Sequence, residues 1–198
     1  HTAPMLARAG PLPTRDADWM YEFKWDGIRA ITSVTAGQVR ATSRGAKDLT
    51  VAFPELQELA TALGDRSAVL DGELVAFDDS GRPSFGRLQQ RMHITSAVEA
   101  ARRANEVPVS YVVFDLLHLD GHDTMGLPLS DRRRLLAQVL EPAPRWRVSP
   151  GHDDGPLLLE ATDASGLECV VAKLADSRYE PGARTRTWRK VKVRRHQE

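Results

Sequence analysis

The chain has a single cysteine, Cys169, among its 198 residues. No intramolecular disulfide can form and no cysteine-based zinc site can be assembled, so a reducing setting is expected. There is no signal-peptide pattern and no apolar run long enough to span a bilayer. Net charge is absent too: 27 Lys and Arg balance 27 Asp and Glu, so the overall charge announces no partner. The chain lacks GxGxxG, GxxxxGK[ST] and GxSxG, which sets aside the dinucleotide-binding, P-loop and nucleophile-elbow folds. Its histidines show no HExxH or paired spacing; His93, His118, His122 and His152 read as surface or satisfied structural residues. Repeats and low-complexity tracts are missing as well.

What remains is an ordinary globular composition, 41% hydrophobic and 27% charged, long enough for one substantial core or two lobes. Charge is distributed unevenly. Arg184, Arg186, Arg189, Lys190, Lys192, Arg194 and Arg195 follow one another with no acid among them, either a solvated basic tail or a phosphate-facing strand. The sequence opens at His1 rather than Met and stops soon after this run. A fragment of a longer protein is expected, with His1 a tag remnant as the alternative origin.

Residues 1–18 hold Pro4, Pro11 and Pro13 and read as irregular. Strands are predicted near 20–25, 28–35 and 38–43, the last two joined at Ala36-Gly37 as a hairpin. Pro54 opens a helix that runs through Leu63 to Gly64. Ser67–Phe77 and Pro108–Leu119 are strands, with helical segments near 84–91 and 96–105 between them. Ser130 is the predicted cap of a helix to about Leu140, and Pro156–Ala164 is helical. Leu167–Leu174 and Thr187–Val193 complete the strands. Hairpins mixed with helices predict an α+β fold, antiparallel sheets flanked by helices, rather than a regular βαβ alternation.

Chemistry concentrates where strands carry charge. In Tyr21–Arg29, period 2 puts Tyr21, Phe23 and Trp25 on one face and Glu22, Lys24 and Asp26 on the other. The charged face either meets solvent or lines a cleft built around a lysine. Gly27 marks a bend or a close backbone approach, and Arg29 offers a fork of donors suited to phosphate or carboxylate. In Val69–Phe77, Asp71 and Glu73 interrupt an apolar strand beside Gly72. Buried carboxylates cost several kcal/mol unless they are paired or bind something. The choice is an arginine ion pair or a ribose or metal contact, and the close-approach signal of Gly72 favours the second. Phe114 reads as core, and Cys169 as a small buried filler. Leu167–Lys173 is a third apolar strand with an acid and a lysine. Trp188, Lys190 and Lys192 share a strand face, where two neighbouring lysines call for an anion, phosphate being the natural one. Arg132-Arg133-Arg134 at a helix start reads as a solvated face.

Taken in order, KWDGIR at 24–29, SRGAKD at 43–48, LDGELVAFD at 70–78, VVFDLLHLDG at 112–121, LECVVAK at 167–173 and WRKVK at 188–192 resemble a known set. They are similar to the nucleotidyltransferase (adenylation) domain of ATP-dependent DNA ligases, most of all the bacterial end-joining ligases. The resemblance covers about residues 4–194. It implies the covalent nucleotidyltransferase fold, ATP-grasp-like in character, as one domain over 1–198. It implies that Lys24 takes AMP from ATP as a phosphoramidate, with Asp26 positioning the ammonium or accepting its proton. Glu22 would contact the adenine amino group, Phe114 would stack on one face of the base and Val171 would close the other. Glu73 would hold the ribose or a metal, and Glu168 would serve the metal site, with Mg²⁺ or Mn²⁺ as the ion. Arg29 and Arg44 would contact the nucleotide or a 5′-phosphate, and Lys190 and Lys192 the α-phosphate. An ordinary lysine, with a pKa of ~10.4, is protonated at neutral pH and cannot attack phosphorus; nearby cations favour the free amine.

The implied partners are ATP and nicked or broken duplex DNA, in double-strand break repair at the bacterial nucleoid in the cytoplasm, with no membrane. The family carries an oligonucleotide-binding (OB-fold) domain after WRKVK, which this chain lacks, and polymerase, phosphoesterase or end-binding partners are also implied. Cys169 stands where the family has glycine. RNA ligases and capping-type nucleotidyltransferases share the lysine motif, and a catalytically silent nicked-DNA-binding module is the non-enzymatic alternative. Trp25 and the WRKVK ending favour the DNA ligase, as do the costly charged groups kept together.

Overall fold

A computed structural model describes residues 2–193. Arg194 and Arg195, the end of the predicted basic run, lie outside the described residues. In chain order the first strands are β1 (Leu6–Ala9), β2 (Trp19–Phe23), β3 (Ile28–Thr35) and β4 (Gln38–Ser43). Helix α1 (Glu58–Leu63), strand β5 (Ala68–Ala76), helices α2 (Phe85–Gln89) and α3 (Ala97–Glu106), and strands β6 (Val109–Leu119) and β7 (His122–Asp123) follow. Helix α4 (Leu129–Val139), β8 (Trp146–Val148), α5 (Gly155–Ala164), β9 (Cys169–Leu174) and β10 (Arg184–Lys192) complete the order.

The strands form two sheets, one ordered β1-β10-β9-β2 and one ordered β4-β3-β5-β6-β7 with β8 beside β6. Pairing is antiparallel throughout except at β1–β10 and β6–β8, which are parallel. The α+β class predicted from the sequence therefore holds. One core lies beneath the larger sheet, where Leu70, Leu74 and Val113 meet Phe53, Leu59 and Leu136. A second joins the sheets through Ile31 and Phe114 on one side and Trp188 on the other. A third packs α5 on the smaller sheet through Tyr21, Leu158 and Val170.

Local sequence explains most element ends. Ala36 and Gly37 both adopt positive φ, 49° and 73°, as a tight hairpin turn with the twist of its strands requires. Ser84, Ser96 and Asp154 cap α2, α3 and α5, each side chain accepting from the backbone N–H three residues on. Pro54 opens a 3-10 turn over Pro54–Gln57 that leads into α1.

Three expectations need correction. Residues 6–9 are not irregular: β1 pairs in parallel with β10, which itself begins at Arg184 rather than Thr187. Ser130 is not a cap; Pro128 precedes the first helical residue, and the Ser130 N–H donates to the Ala175 carbonyl at 3.0 Å. The alternation of 21–26 breaks because β2 ends at Phe23; of the two readings of its charged face, the burial of Glu22 fits a cleft rather than solvent.

Candidate active site

The two sheets enclose a cleft of about 400 Å³, within the range of small-molecule sites. Register builds one wall. Glu22 on β2 and Lys190 on β10 both lie opposite Val171 on β9, so the three form a row across the smaller sheet. In the next row outward the Lys24 backbone N–H donates to the Cys169 carbonyl at 3.1 Å, while Lys192 lies opposite Cys169. In the next row inward, Trp188 lies opposite Lys173. The other wall comes from the larger sheet: Arg29 on β3, Glu73 on β5, Phe114 on β6 and, just past β4, Arg44.

Of the residues predicted from sequence, the cleft gathers Glu22, Lys24, Arg29, Arg44, Glu73, Phe114, Val171 and Lys190. Asp26, Glu168 and Lys192 are exposed and do not line it. Lys173, Trp188, Trp25 and Arg184 line it without having been assigned there. Lys173 had a visible signal, a cation on an apolar strand. Arg184 was marked only as the first residue of the basic run, and its place at the cleft follows from the pairing of β1 with β10.

Asp71 belongs to a structural ion pair, not to a ribose or metal contact. Arg29 donates to it twice, Nε to Oδ1 at 2.6 Å and Nη2 to Oδ2 at 2.7 Å, and also to the Met5 carbonyl at 3.0 Å. The Tyr179 hydroxyl donates to Asp71 Oδ2 at 2.6 Å and accepts from the Met5 N–H at 2.9 Å. The Asp71 carboxylate holds the Arg29 guanidinium above its ordinary range, although burial pulls the other way. Burial raises the Tyr179 phenol, with Asp71 adding to the effect. The signal that misled is Gly72: a Cβ there would lie 2.6 Å from both the Tyr111 ring and the Val112 carbonyl. Its close approach serves the core. Gly27 does bend the chain against its neighbour, since a Cβ would run into the Leu74 carbonyl oxygen.

Glu73 is different. Among the described residues no hydrogen bond or ion pair engages its carboxylate. Burial pushes its pKa from the ordinary 4.5 up to about 7, while Arg29 and then Lys24 pull it back. An unpartnered carboxylate in a cleft suits a hydroxyl or a hard cation.

The arginine triplet also differs from the solvated face expected. Arg132 is fully buried and grips Asp115 twice, Nε to Oδ1 at 2.7 Å and Nη2 to Oδ2 at 3.0 Å. Arg133 donates to the carbonyls of Phe114, at 3.0 Å, and Ser149. Only Arg134 keeps the expected exposure, pairing with Asp131 at 2.8 Å. Lys173 Nζ donates to Glu22 Oε1 at 3.1 Å and sits 4.3 Å from the ring centres of both Phe114 and Trp188. Burial pushes the Lys173 ammonium below its ordinary pKa, against the pull of Glu22. Cys169 is a buried free cysteine, as its reading as a filler required.

No group of three or more His, Cys, Asp or Glu that could hold a metal occurs among the described residues. The donor set still fits a divalent cation of the Mg²⁺ type, which takes one or two carboxylates and completes its shell with water and phosphate oxygens. Glu73 is the carboxylate inside the cleft that meets this requirement. No helix among the described residues is long and apolar enough to cross a membrane.

Comparison with known proteins agrees with this geometry. The family model described as "ATP dependent DNA ligase domain" matches residues 4–192. The multifunctional non-homologous end joining DNA repair protein LigD of Mycobacterium tuberculosis is 39% identical over 194 residues, 96% of this chain and 24% of that protein. A probable DNA ligase of Streptomyces coelicolor is 40% identical over 177 residues, 86% of this chain and 34% of that protein. A mycobacterial DNA ligase D complexed with ATP and MES superposes with a TM-score of 0.81 at 37% identity, covering 96% of this chain and 60% of that one. The chain thus spans about a quarter of the length of the LigD proteins it matches. On the match over residues 4–192, the chain belongs to the ATP-dependent DNA ligase domain family.

Proposed function

We propose that the cleft binds ATP and that Lys24 becomes covalently adenylated. The observation that carries this is the convergence of Lys24, Glu22, Glu73, Phe114, Val171 and Lys190 on one cleft from strands of two sheets. In the step proposed, Lys24 Nζ, having given one proton to solvent water, attacks the α-phosphorus, and a second proton leaves the nitrogen to solvent as the phosphoramidate forms. A P–N bond forms, the bond to the bridging oxygen breaks, and pyrophosphate leaves with that electron pair. Lys190 and Arg44 supply positive charge for the phosphates. Lys192, one row outward on the same strand, contributes from the mouth. Phe114 and Val171 bound the base on its two faces, and Glu22 accepts from its amino group.

Arg29 is held by Asp71, so it presents a fixed charge rather than a mobile one. Glu73 would hold the ribose or a divalent cation, and that ion would neutralise charge building on the triphosphate. Asp26 and Glu168, outside the cleft, keep a role only through a bound ion or proton exchange with solvent. Mg²⁺ and Mn²⁺ both suit oxygen donors.

The adenylate would pass to the 5′-phosphate of a DNA nick, and the 3′-hydroxyl would displace AMP to seal it. Repair of double-strand breaks in the bacterial cytoplasm is the setting suggested by the LigD relatives, with domains of their longer chains as partners. Facing C6 of the base, the buried carboxylate of Glu22 would favour the amino donor that adenine carries there over the carbonyl oxygen of the guanine used by capping-type enzymes. Intact mass after incubation with ATP or GTP and Mg²⁺ tests this. A gain of one AMP with ATP and no adduct with GTP is expected. A GMP adduct of equal yield would overturn the base assignment, and no adduct with either would overturn the enzymatic reading.

A further inference from the structure

Arg133 lies outside every motif that carries the ligase resemblance and does not line the cleft, yet it touches two residues that do, Phe114 and Glu22. It projects from α4, and its side chain is 11% exposed. One guanidinium serves three points. It donates to the Phe114 carbonyl at 3.0 Å, donates to the Ser149 carbonyl, and approaches Glu22 Oε1 to 3.6 Å. Ser149 in turn accepts the Trp25 indole N–H on its Oγ at 2.9 Å, and Trp25 adjoins Lys24. The ring that bounds the base, the carboxylate that faces it and the neighbour of the nucleophile are thereby tied to one side chain.

The charge count shows what this achieves. Two acids, Glu22 and Asp115, meet three cations, Lys173, Arg132 and Arg133. Arg132 already grips Asp115 through two bonds, so Arg133 is left for Glu22, and Lys173, which also feels Asp115, gives its hydrogen bond to Glu22. A single cation would satisfy a buried carboxylate. The second lies on the same oxygen and helps to fix where the carboxylate sits. Both cations approach the same oxygen, and the hydrogen bond to this carboxylate falls on Oε1. Among the described residues no hydrogen bond reaches Oε2.

Resting on the adenylation reading above, we propose that Arg133 is a positioning residue that sets purine choice. It fixes Glu22 by Oε1, so that Oε2 faces the base as an acceptor at one place. Adenine offers an amino donor at C6, whereas guanine offers a carbonyl oxygen there. An acceptor fixed opposite C6 rewards the first and repels the second. A carboxylate free to rotate could also reach the N1–H and amino donors of guanine and would tolerate either.

The experiment measures adduct formation against nucleotide concentration, with ATP and with GTP, for the chain, R133M, R133K and R133M in an E22Q background. R133M is expected to lower the ATP-over-GTP preference about tenfold, the size of one good polar contact, and to raise KM for ATP more than it lowers kcat. R133K keeps the charge but not the fork. It is expected to retain the preference while raising KM about threefold or more, and it carries the test should R133M fail to fold. In the E22Q background, R133M is expected to change the preference little, because the two act through one group. A loss of thermal stability with the ATP-to-GTP ratio intact would mean a structural role only and would overturn the proposal. So would the same drop in preference with or without Glu22, or an unchanged KM in R133K. Absence of any adduct in the unmodified chain would instead remove the adenylation reading on which the proposal rests.

Discussion

Arg29 and Asp71 meet through two parallel hydrogen bonds of 2.6 and 2.7 Å across the β3–β5 pair, with Asp71 wholly buried and Arg29 open to the cleft. A guanidinium held in this way cannot follow a ligand; it presents a fixed charge at a fixed place. The geometry of the cleft wall therefore depends on a carboxylate that faces no ligand.

Removing that carboxylate has a calculable cost. D71N leaves Arg29 without its counter-charge and Tyr179 without its acceptor. A loss of ~3 kcal/mol in folding free energy is expected, at the low end for a broken buried pair because Arg29 is partly exposed. Urea denaturation measures it, and a loss under ~1 kcal/mol would show that the pair is dispensable.

Glu73 sets a pH dependence. Its pKa stands near 7 in the folded chain against 4.5 ordinarily, so the folded state binds the proton more tightly. Stability from this group is therefore greatest below about 4.5 and is lost as pH rises towards 7. E73Q should flatten that segment of a stability-against-pH curve measured by denaturant titration. In the same variant the adenylation rate should lose the part of its rise centred near 7 that ionised Glu73 provides. An identical curve for both proteins would contradict the assignment.

Phe114 divides packing from binding. Its ring lies 4.7 Å from the Arg29 guanidinium and edge-on to Trp188 at 6.4 Å. F114L keeps bulk but loses the flat face, so stability should fall by less than ~1.5 kcal/mol. KM for ATP should rise about tenfold, in line with a lost base-stacking contact of 1–3 kcal/mol. A large stability loss with unchanged KM would make Phe114 purely a core residue.

The glycines separate in the same manner. G72A would drive a methyl into Tyr111 and the Val112 carbonyl, costing at least ~3 kcal/mol. Gly86, inside α2, has open space around it, and G86A should stabilise by ~0.5–1 kcal/mol. Thermal melts of the two variants side by side check both signs.

The sequence made the central strands legible because long apolar runs with period 2 and strong turn residues leave little choice. The hairpin at Ala36-Gly37 is of this kind. Strand β1 was hidden because Leu6–Ala9 gains its conformation from β10, far along the chain. Most of the cleft was legible from charged residues on apolar strands, Glu22, Lys24, Glu73 and Lys190 among them. Partner choice was not. Asp71 and Glu73 look alike in sequence, yet one lies beside Arg29 and Tyr179 and the other faces open cleft. Arg132 and Arg134 sit two apart on one helix, and only the fold decides that the first is buried on Asp115.

The most direct test locates the AMP. The chain is incubated with ATP and Mg²⁺, digested, and its lysine-containing peptides are sequenced by tandem mass spectrometry. Adenylation confined to Lys24, and absent from a Lys24→Ala variant that keeps its fold, is the predicted result. AMP on another lysine of the cleft, Lys173 or Lys190, or adduct formation undiminished in Lys24→Ala, would contradict the account.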